Sequence, residues 1–185
     1  TVDDLRAKSL SDCLSLVVCD PSPTPMERVH AKFQAISDHA KRFKCLMSNR
    51  VWLALEQPGY GTDEYHQRSL ETLSENLEIP IVATGNVHMH CRARQPLQDT
   101  LTAIRHQKSI LNIKHCLAAN AERHLRSKKI LKHLYPNAAL NNSIQIAGQC
   151  HFSLDELNYQ YPSELIPDGL SATQYLRQLV EHGVT

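Results

Sequence analysis

The segment ATGNVHMH, residues 83–90, carries the side chains best suited to chemistry, because Asn86, His88 and His90 stand at alternate positions. Alternate side chains of an extended segment point to the same side. Two imidazoles and an amide oxygen that converge on one spot could hold a divalent metal, with His88 as the principal candidate ligand. Two ligands do not complete a metal site, so surface or hydrogen-bonded histidines are the alternative interpretation.

A second candidate is a cluster of cations beside apolar residues in the segment HLRSKKILKH, residues 124–133. Such a cluster could contact nucleic-acid phosphates. The alternative is the solvated face of an amphipathic helix. No aromatic residue interleaves with the cations, so base stacking is not predicted there. The candidate nucleic-acid-binding residues are Arg126, Lys128, Lys129 and Lys132.

Other catalytic patterns find little support in the sequence. Asp20 and Glu56 each follow a predicted strand, where either could serve a site or simply occupy a turn. Cys91 directly follows His90, and neighbours on a strand point to opposite faces, so the two are poorly placed as nucleophile and base. The chain contains neither a G-x-S-x-G motif nor a phosphate-binding loop motif.

The first half of the chain predicts a β-α-β-α-β arrangement that would position these residues. Short apolar runs predict strands at residues 14–19, 51–55 and 81–84, and such runs are typical of strands covered on both faces. One helix is predicted after a capping box at Thr24 and Glu27, with Ile36 and Ala40 on its apolar stripe, and a second helix is predicted over residues 62–77. This α/β pattern indicates a parallel sheet or part of a barrel, with a doubly wound sheet as the alternative. Active sites of these folds lie at the carboxyl ends of the strands.

The second half changes to a helical pattern. Helices are predicted around residues 97–104, 125–134 and 140–147. A last helix begins at Ser171, with Gln174 as its capping partner. Its apolar residues should face inward, and they are Leu176, Leu179 and Val180. We therefore predict an α/β domain over residues 1–95 and a helical connection over residues 96–185.

Composition narrows the class of protein. The net charge of +1 requires neither a nucleic acid nor an acidic substrate as partner. Six cysteines occur without a C-x-x-C pair, which favours reduced thiols in the cytoplasm over a structural zinc site. No apolar run approaches the roughly 20 residues that span a bilayer, and no signal peptide is predicted, so a membrane partner is not expected.

Three stretches resemble a known family. They are residues 81–105, which begin IVATGNVHMH; residues 120–127, NAERHLRS; and residues 152–165, which begin FSLDEL and continue with Tyr159 and Tyr161. Together they resemble the end of the PHP domain, and the connection after it, in error-prone DNA polymerases. These are damage-associated C-family enzymes related to the alpha subunit of the bacterial replicative polymerase. The resemblance is dense from Leu77 to the C-terminus and thinner before it.

The resemblance implies a partial PHP-type β/α barrel followed by a helical segment. PHP domains hold metal ions at the carboxyl ends of their strands, and their late motif is Asp-x-His. Here that motif stands as Asn86-Val87-His88, so His88 matches and Asn86 departs. Because a neutral amide binds hard cations less well than a carboxylate does, we expect an incomplete PHP metal site.

The resemblance also implies a parent protein. It would be a DNA-directed DNA polymerase, a nucleotidyltransferase acting in damage-induced mutagenesis and translesion synthesis with Mg²⁺, primer-template DNA and dNTPs. Other mutagenesis or replication proteins would be its partners. The remaining PHP ligands would precede Thr1 and the polymerase carboxylates would follow Thr185, so we expect an inactive, structural fragment. The alternatives are a PHP-type metal-dependent phosphoesterase and a non-enzymatic DNA or protein interaction module. Incomplete sheet edges would favour self-association.

Overall fold

The computed structural model describes residues 10, 13–21, 26–47, 50–157, 166, 167 and 169–183, with the side chains at 26, 27, 29 and 30 excepted. Its strands are β1 (Ser15–Val18), β2 (Val51–Leu55) and β3 (Ile81–Ala83). Its helices are α1 (Met26–Met47), α2 (Asp63–Leu77), α3 (Gln95–His106), α4 (Lys128–Leu134), α5 (Asn137–Gln149) and α6 (Ala172–Gly183). The predicted capping box at Thr24 lies outside the described residues, as do Tyr159 and Tyr161.

The three strands form a parallel sheet in the order β1-β2-β3. Helices α1 and α2 connect successive strands, so the predicted β-α-β-α-β arrangement is confirmed. Ala40 of α1 and Leu70 of α2 are both fully buried and share a core with Val17 and Leu53. The apolar stripes of the helices therefore cover the sheet, as their spacing predicts.

The strands differ in how well they are covered. All five residues of β2 are buried, as expected for a central parallel strand. In contrast, Leu16 and Val18 of β1 are 41% and 64% exposed. The prediction that every strand is covered on both faces is therefore wrong for β1, which pairs only with β2 within the described part of the chain.

Helix α5 covers the outer edge of β3. Nδ2 of Asn142 donates a 2.7 Å hydrogen bond to the carbonyl oxygen of Ile81, and Oγ of Ser143 donates one of 2.9 Å to that of Ala83. These carbonyls would otherwise lack partners at the sheet edge. The expectation of an incomplete sheet edge is therefore wrong for these two carbonyl groups of β3, because polar side chains of α5 donate to them.

Helices occur at all four places predicted for the second half of the chain, with one change of boundary. Helix α4 begins at Lys128 rather than at Leu125, because Oγ of Ser127 caps it by accepting from the backbone nitrogen of Ile130. The backbone nitrogen of Leu125 instead donates to the carbonyl oxygen of Met89. This contact with a distant residue keeps residues 125–127 out of the helix to which the sequence pattern assigns them.

The chain divides into two compact units, Thr1–Cys150 and His151–Thr185. In the second unit, Ser171 and Gln174 cap α6 reciprocally, with hydrogen bonds of 2.9 and 3.3 Å, as predicted. The prediction that this helix buries its apolar face is wrong, since Leu176, Leu179 and Val180 are 62%, 51% and 58% exposed. The domain boundary after residue 95 stays a prediction. Among the described residues, no helix is long and apolar enough to cross a membrane.

Candidate functional site

The strand ends bring Glu56, Asn86 and His88 into one hydrogen-bonded chain. Glu56 directly follows β2 and is only 5% exposed. Its Oε2 accepts a 3.1 Å hydrogen bond from Nδ2 of Asn86, while Oδ1 of Asn86 lies 3.0 Å from Nε2 of His88. The carboxyl ends of parallel strands meet at one edge of a sheet, which explains how residues 30 positions apart come together.

This chain of contacts fixes the proton positions. A carboxylate only accepts hydrogen bonds, so the NH₂ group of Asn86 must face Glu56 and its oxygen must face His88. Nε2 of His88 is then the donor to that oxygen. With its proton in place, this nitrogen has no lone pair to offer a metal, and ligation through it would require the Asn86–His88 hydrogen bond to break.

Asn86 also shapes the backbone of the segment. Its φ of +42° lies in the left-handed region, which asparagine tolerates better than most residues do. The segment therefore leaves the extended conformation at this point. Asn86 and His88 still meet, whereas His90 is exposed and makes no hydrogen bond to either of them within the described residues.

A second segment, residues 120–127, packs directly against the histidine segment. The backbone nitrogen atoms of His88 and Met89 both donate to the carbonyl oxygen of Arg123, at 2.9 and 3.2 Å. Met89 and His124 form an isolated parallel bridge. The structure thus joins two stretches that lie more than 30 residues apart in the sequence and that both carry family-like motifs.

An ion-pair network holds residues 120–127 against the end of β2. Glu122 pairs with Arg92 at 2.9 Å and with Arg126 at 3.4 Å. The side chain of Arg126 is 7% exposed and also donates to the carbonyl oxygen of Gln57 at 2.9 Å. Glu122 is not among the predicted site residues, although its spacing of four from Arg126 is a signal for an ion pair.

The four cations predicted to bind nucleic acid occupy different environments. The guanidinium group of Arg126 is engaged within the protein and stabilises the loop, as described above. Lys128, Lys129 and Lys132 are exposed on α4. Only these three lysines are therefore free to contact phosphates, and a role for them stays a prediction.

Burial shifts the pKa values of two side chains near the strand ends, Cys19 and His66. It raises the pKa of the Cys19 thiol to about 12, with the charge of Glu56 acting in the same direction. Burial lowers the pKa of His66, with the charge of Lys32 adding to the effect. Nε2 of His66 is buried and has no hydrogen-bond partner among the described residues. Both groups are thereby kept neutral at physiological pH, which suits a structural rather than a catalytic role.

The metal role predicted for His88 stays a prediction. Within the described residues, no group of three or more His, Cys, Asp or Glu side chains converges as metal ligands would. Asp20, at the end of β1, lies 3.7 Å from Nζ of Lys32. The hydrogen bonds of Glu56, Asn86 and His88 link the ends of β2 and β3, and the backbone of His88 and Met89 links them to residues 120–127.

Comparison with known proteins identifies the relatives of this chain. No protein-family model matches it. An error-prone DNA polymerase of Methylococcus capsulatus is 47% identical over 139 residues, or 75% of this chain. One from Pseudomonas fluorescens is 43% identical over 147 residues, or 80% of the chain, and one from Bordetella parapertussis is 39% identical over 176 residues, or 95% of it. This chain is homologous to part of an error-prone DNA polymerase.

The resemblance to error-prone DNA polymerases that the residues indicated is thereby confirmed. The matches cover 13%, 14% and 16% of the three relatives' own lengths. The chain thus spans about a seventh of the length of the error-prone DNA polymerases it matches.

Proposed function

We propose that this chain is a structural segment of an error-prone DNA-directed DNA polymerase that extends primers opposite damaged template. The observation that supports the proposal is the 39–47% identity to proteins of that name. The parent protein would use Mg²⁺, primer-template DNA and dNTPs in the cytoplasm, and would work with other mutagenesis or replication proteins. Its catalytic carboxylates would hold the two metal ions that nucleotidyl transfer requires.

The α/β unit fits part of a PHP-type β/α barrel. Three parallel strands, each followed by a helix or a helical connection, are consistent with a barrel segment. The exposed residues Leu16 and Val18 on β1 support a further strand or other cover in the parent, and in the isolated chain they favour self-association. Sedimentation of the chain over a range of concentrations tests the second point: a monomer at every concentration would contradict it.

The contacts among Glu56, Asn86 and His88 support a proposal for the role of this segment. We propose that these residues connect the strand ends structurally and do not hold a PHP metal. A PHP-type phosphoesterase would need more ligands than the described residues bring together. The hydrogen bonds, the ion pairs of Glu122 and the buried Arg126 instead support a rigid joint ahead of the helical region.

Primer extension by the complete gene product tests the polymerase proposal. The protein is incubated with Mg²⁺, dNTPs and a primer annealed to a template that carries an abasic site, with an undamaged template for comparison. Extension past the lesion is expected. A gene product that binds primer-template DNA but extends neither template would contradict the proposal.

A nucleic-acid interaction module is the second candidate, because Lys128, Lys129 and Lys132 are exposed on one short helix. Replacement of all three by Ala should then abolish salt-dependent binding of DNA by this chain. A chain whose DNA affinity is unchanged by the triple substitution, or which binds no DNA at all, would exclude this use of the lysines.

A further inference from the structure

A groove with a volume of about 550 Å³ opens between the end of β3, the residues around His124, and helices α4 and α5. Its apolar lining comes from Ala83, Val87, Leu125, Leu131, Leu140 and Ile144. Two of these side chains are largely uncovered, since Leu125 is 63% and Ile144 is 71% exposed. An uncovered apolar lining in a concave surface is typical of a binding site.

The charges around the groove all have one sign. Lys128 and Lys132 line it from positions four apart on α4, and no carboxylate lines it. Neither lysine pairs with an acidic side chain within the described part of the chain. Arg126 also borders the groove, but its charge is directed to Glu122, which is not part of the lining. The groove therefore presents two free positive charges beside an apolar floor.

These features distinguish between two kinds of occupant. A nucleic-acid backbone would bury little apolar surface, and base stacking needs an accessible aromatic ring. Of the two rings in the lining, that of Tyr135 is 5% exposed and its hydroxyl group donates to the carbonyl oxygen of Thr84. The half-buried imidazole of His124 is held by a 2.9 Å hydrogen bond between its Nδ1 and the carbonyl oxygen of Ala121. Lys129, the third lysine of α4, lies outside the groove. A helix that binds phosphates could use all three lysines, whereas an occupant of the groove would contact Lys128 and Lys132 and not Lys129.

We propose that this groove binds an amphipathic helix of a partner protein. Leucine-type residues at positions i, i+3, i+4 and i+7 of that helix would occupy the apolar floor. Glutamates or aspartates beside them would pair with Lys128 and Lys132, giving charge complementarity at the rim. This inference concerns a surface of the chain itself and does not depend on the polymerase proposal.

A labelled peptide tests the proposal directly. The probe is a fluorescein-labelled helical peptide of about 16 residues, with Leu at i, i+3, i+4 and i+7 and Glu at the flanking positions. Fluorescence anisotropy with the intact chain should show saturable binding. A matched peptide with Lys in place of each Glu should bind at least about tenfold more weakly, because its charges face those of the groove.

Three variants of the chain locate the contact. The double substitution Lys128→Glu and Lys132→Glu should weaken binding of the acidic peptide by about tenfold or more. Ile144→Glu should do the same, because it places a charge on the apolar floor. Lys129→Glu is the control and should change the dissociation constant by less than about twofold, since this lysine lies outside the groove. The substituted side chains are exposed, and thermal unfolding of each variant checks that the fold is kept.

Three results would overturn the proposal. The first is the absence of saturable binding of the acidic peptide. The second is an equal affinity for the acidic and basic peptides. The third is a loss on Lys129→Glu as large as that on the double substitution, together with displacement of the peptide by single-stranded DNA, which would assign the surface to nucleic acid instead.

Discussion

Restoring a carboxylate at position 86 should destabilise this chain in a pH-dependent manner. In the structure, Nδ2 of Asn86 donates to Oε2 of the buried Glu56 over 3.1 Å. The substitution Asn86→Asp replaces that donor by an acceptor of nearly the same shape. Two carboxylates would then face each other across the former hydrogen bond. Repulsion between their like charges would destabilise the folded state.

The magnitude follows from the distance. At an effective dielectric constant of about 20, two unit charges separated by 3.1 Å repel by about 5 kcal/mol. Uptake of one proton limits this cost. For a carboxyl group with an ordinary pKa near 4, protonation costs about 4 kcal/mol at pH 7 and about 1.4 kcal/mol at pH 5. We therefore expect a loss of about 2–4 kcal/mol in the free energy of unfolding at pH 7, which falls to about 1 kcal/mol at pH 5.

Urea unfolding of four proteins measures the effect: the parent chain, Asn86→Asp, Glu56→Gln and the double variant. In the double variant, the amide of the new glutamine can donate to the new carboxylate, so the hydrogen bond is restored with its direction reversed. The double variant should regain stability to within about 1 kcal/mol of the parent, with a coupling energy of about 2 kcal/mol or more.

Two outcomes would refute this reasoning. A destabilisation by Asn86→Asp that is equal at pH 5 and pH 7 would show that charge repulsion with Glu56 is not its cause. Additive losses in the double variant would show that the two side chains do not interact in solution.

Three further predictions concern buried polar groups. Arg126→Ala should cost about 2–4 kcal/mol in urea unfolding, because it leaves the carbonyl oxygen of Gln57 without its donor and leaves Glu122 with Arg92 as its remaining cation. The exposed control Lys129→Ala should cost less than about 0.5 kcal/mol, and equal losses would contradict this role. Because burial lowers the pKa of His66 in the folded state, the unfolded state takes up the proton first, and stability should fall as the pH drops below about 6.5. His66→Leu should reduce that pH dependence, and an unchanged dependence would place its origin elsewhere. The thiol of Cys19, with a pKa of about 12, should react with a disulfide reagent only after unfolding, while the exposed cysteines react in the native protein.

Much of the first half of the fold could be predicted from local patterns. Short apolar runs identified the strands, and the spacing of Ile36 and Ala40 identified the buried face of α1, because burial against a sheet imposes that period. The reciprocal cap of Ser171 and Gln174 was also predictable, since both partners lie within one turn. Such features depend on residues that are close in sequence.

The errors share a physical cause. The period of α6 correctly indicates an apolar face, but it cannot say whether anything covers that face, and Leu176 is 62% exposed. The start of α4 was misplaced because the backbone of Leu125 bonds to Met89, a contact that no local pattern encodes. The cover of the β3 edge likewise depends on Asn142, which lies 61 residues from its acceptor, Ile81.

At the candidate site, too, local features could be predicted from the sequence and long-range contacts could not. The motif identified Asn86 and His88 as a departure from a metal-binding pair, and the structure places them 3.0 Å apart. It did not reveal that the other side of the Asn86 amide bonds to Glu56, because that partner comes from the previous strand. From the sequence alone, Glu56 is a carboxylate at a strand end, and no local signal indicates its partner. Its contact with Asn86 supports the proposed structural role.

The most direct test of that role is a calorimetric titration of the chain with Mn²⁺ and Mg²⁺, alongside the variant His88→Ala. If Glu56, Asn86 and His88 form a hydrogen-bonded joint, neither ion should bind saturably with a dissociation constant in the micromolar range, and the variant should behave like the parent chain. Saturable micromolar binding that is lost on His88→Ala would contradict the account and would establish a metal site at the end of β3.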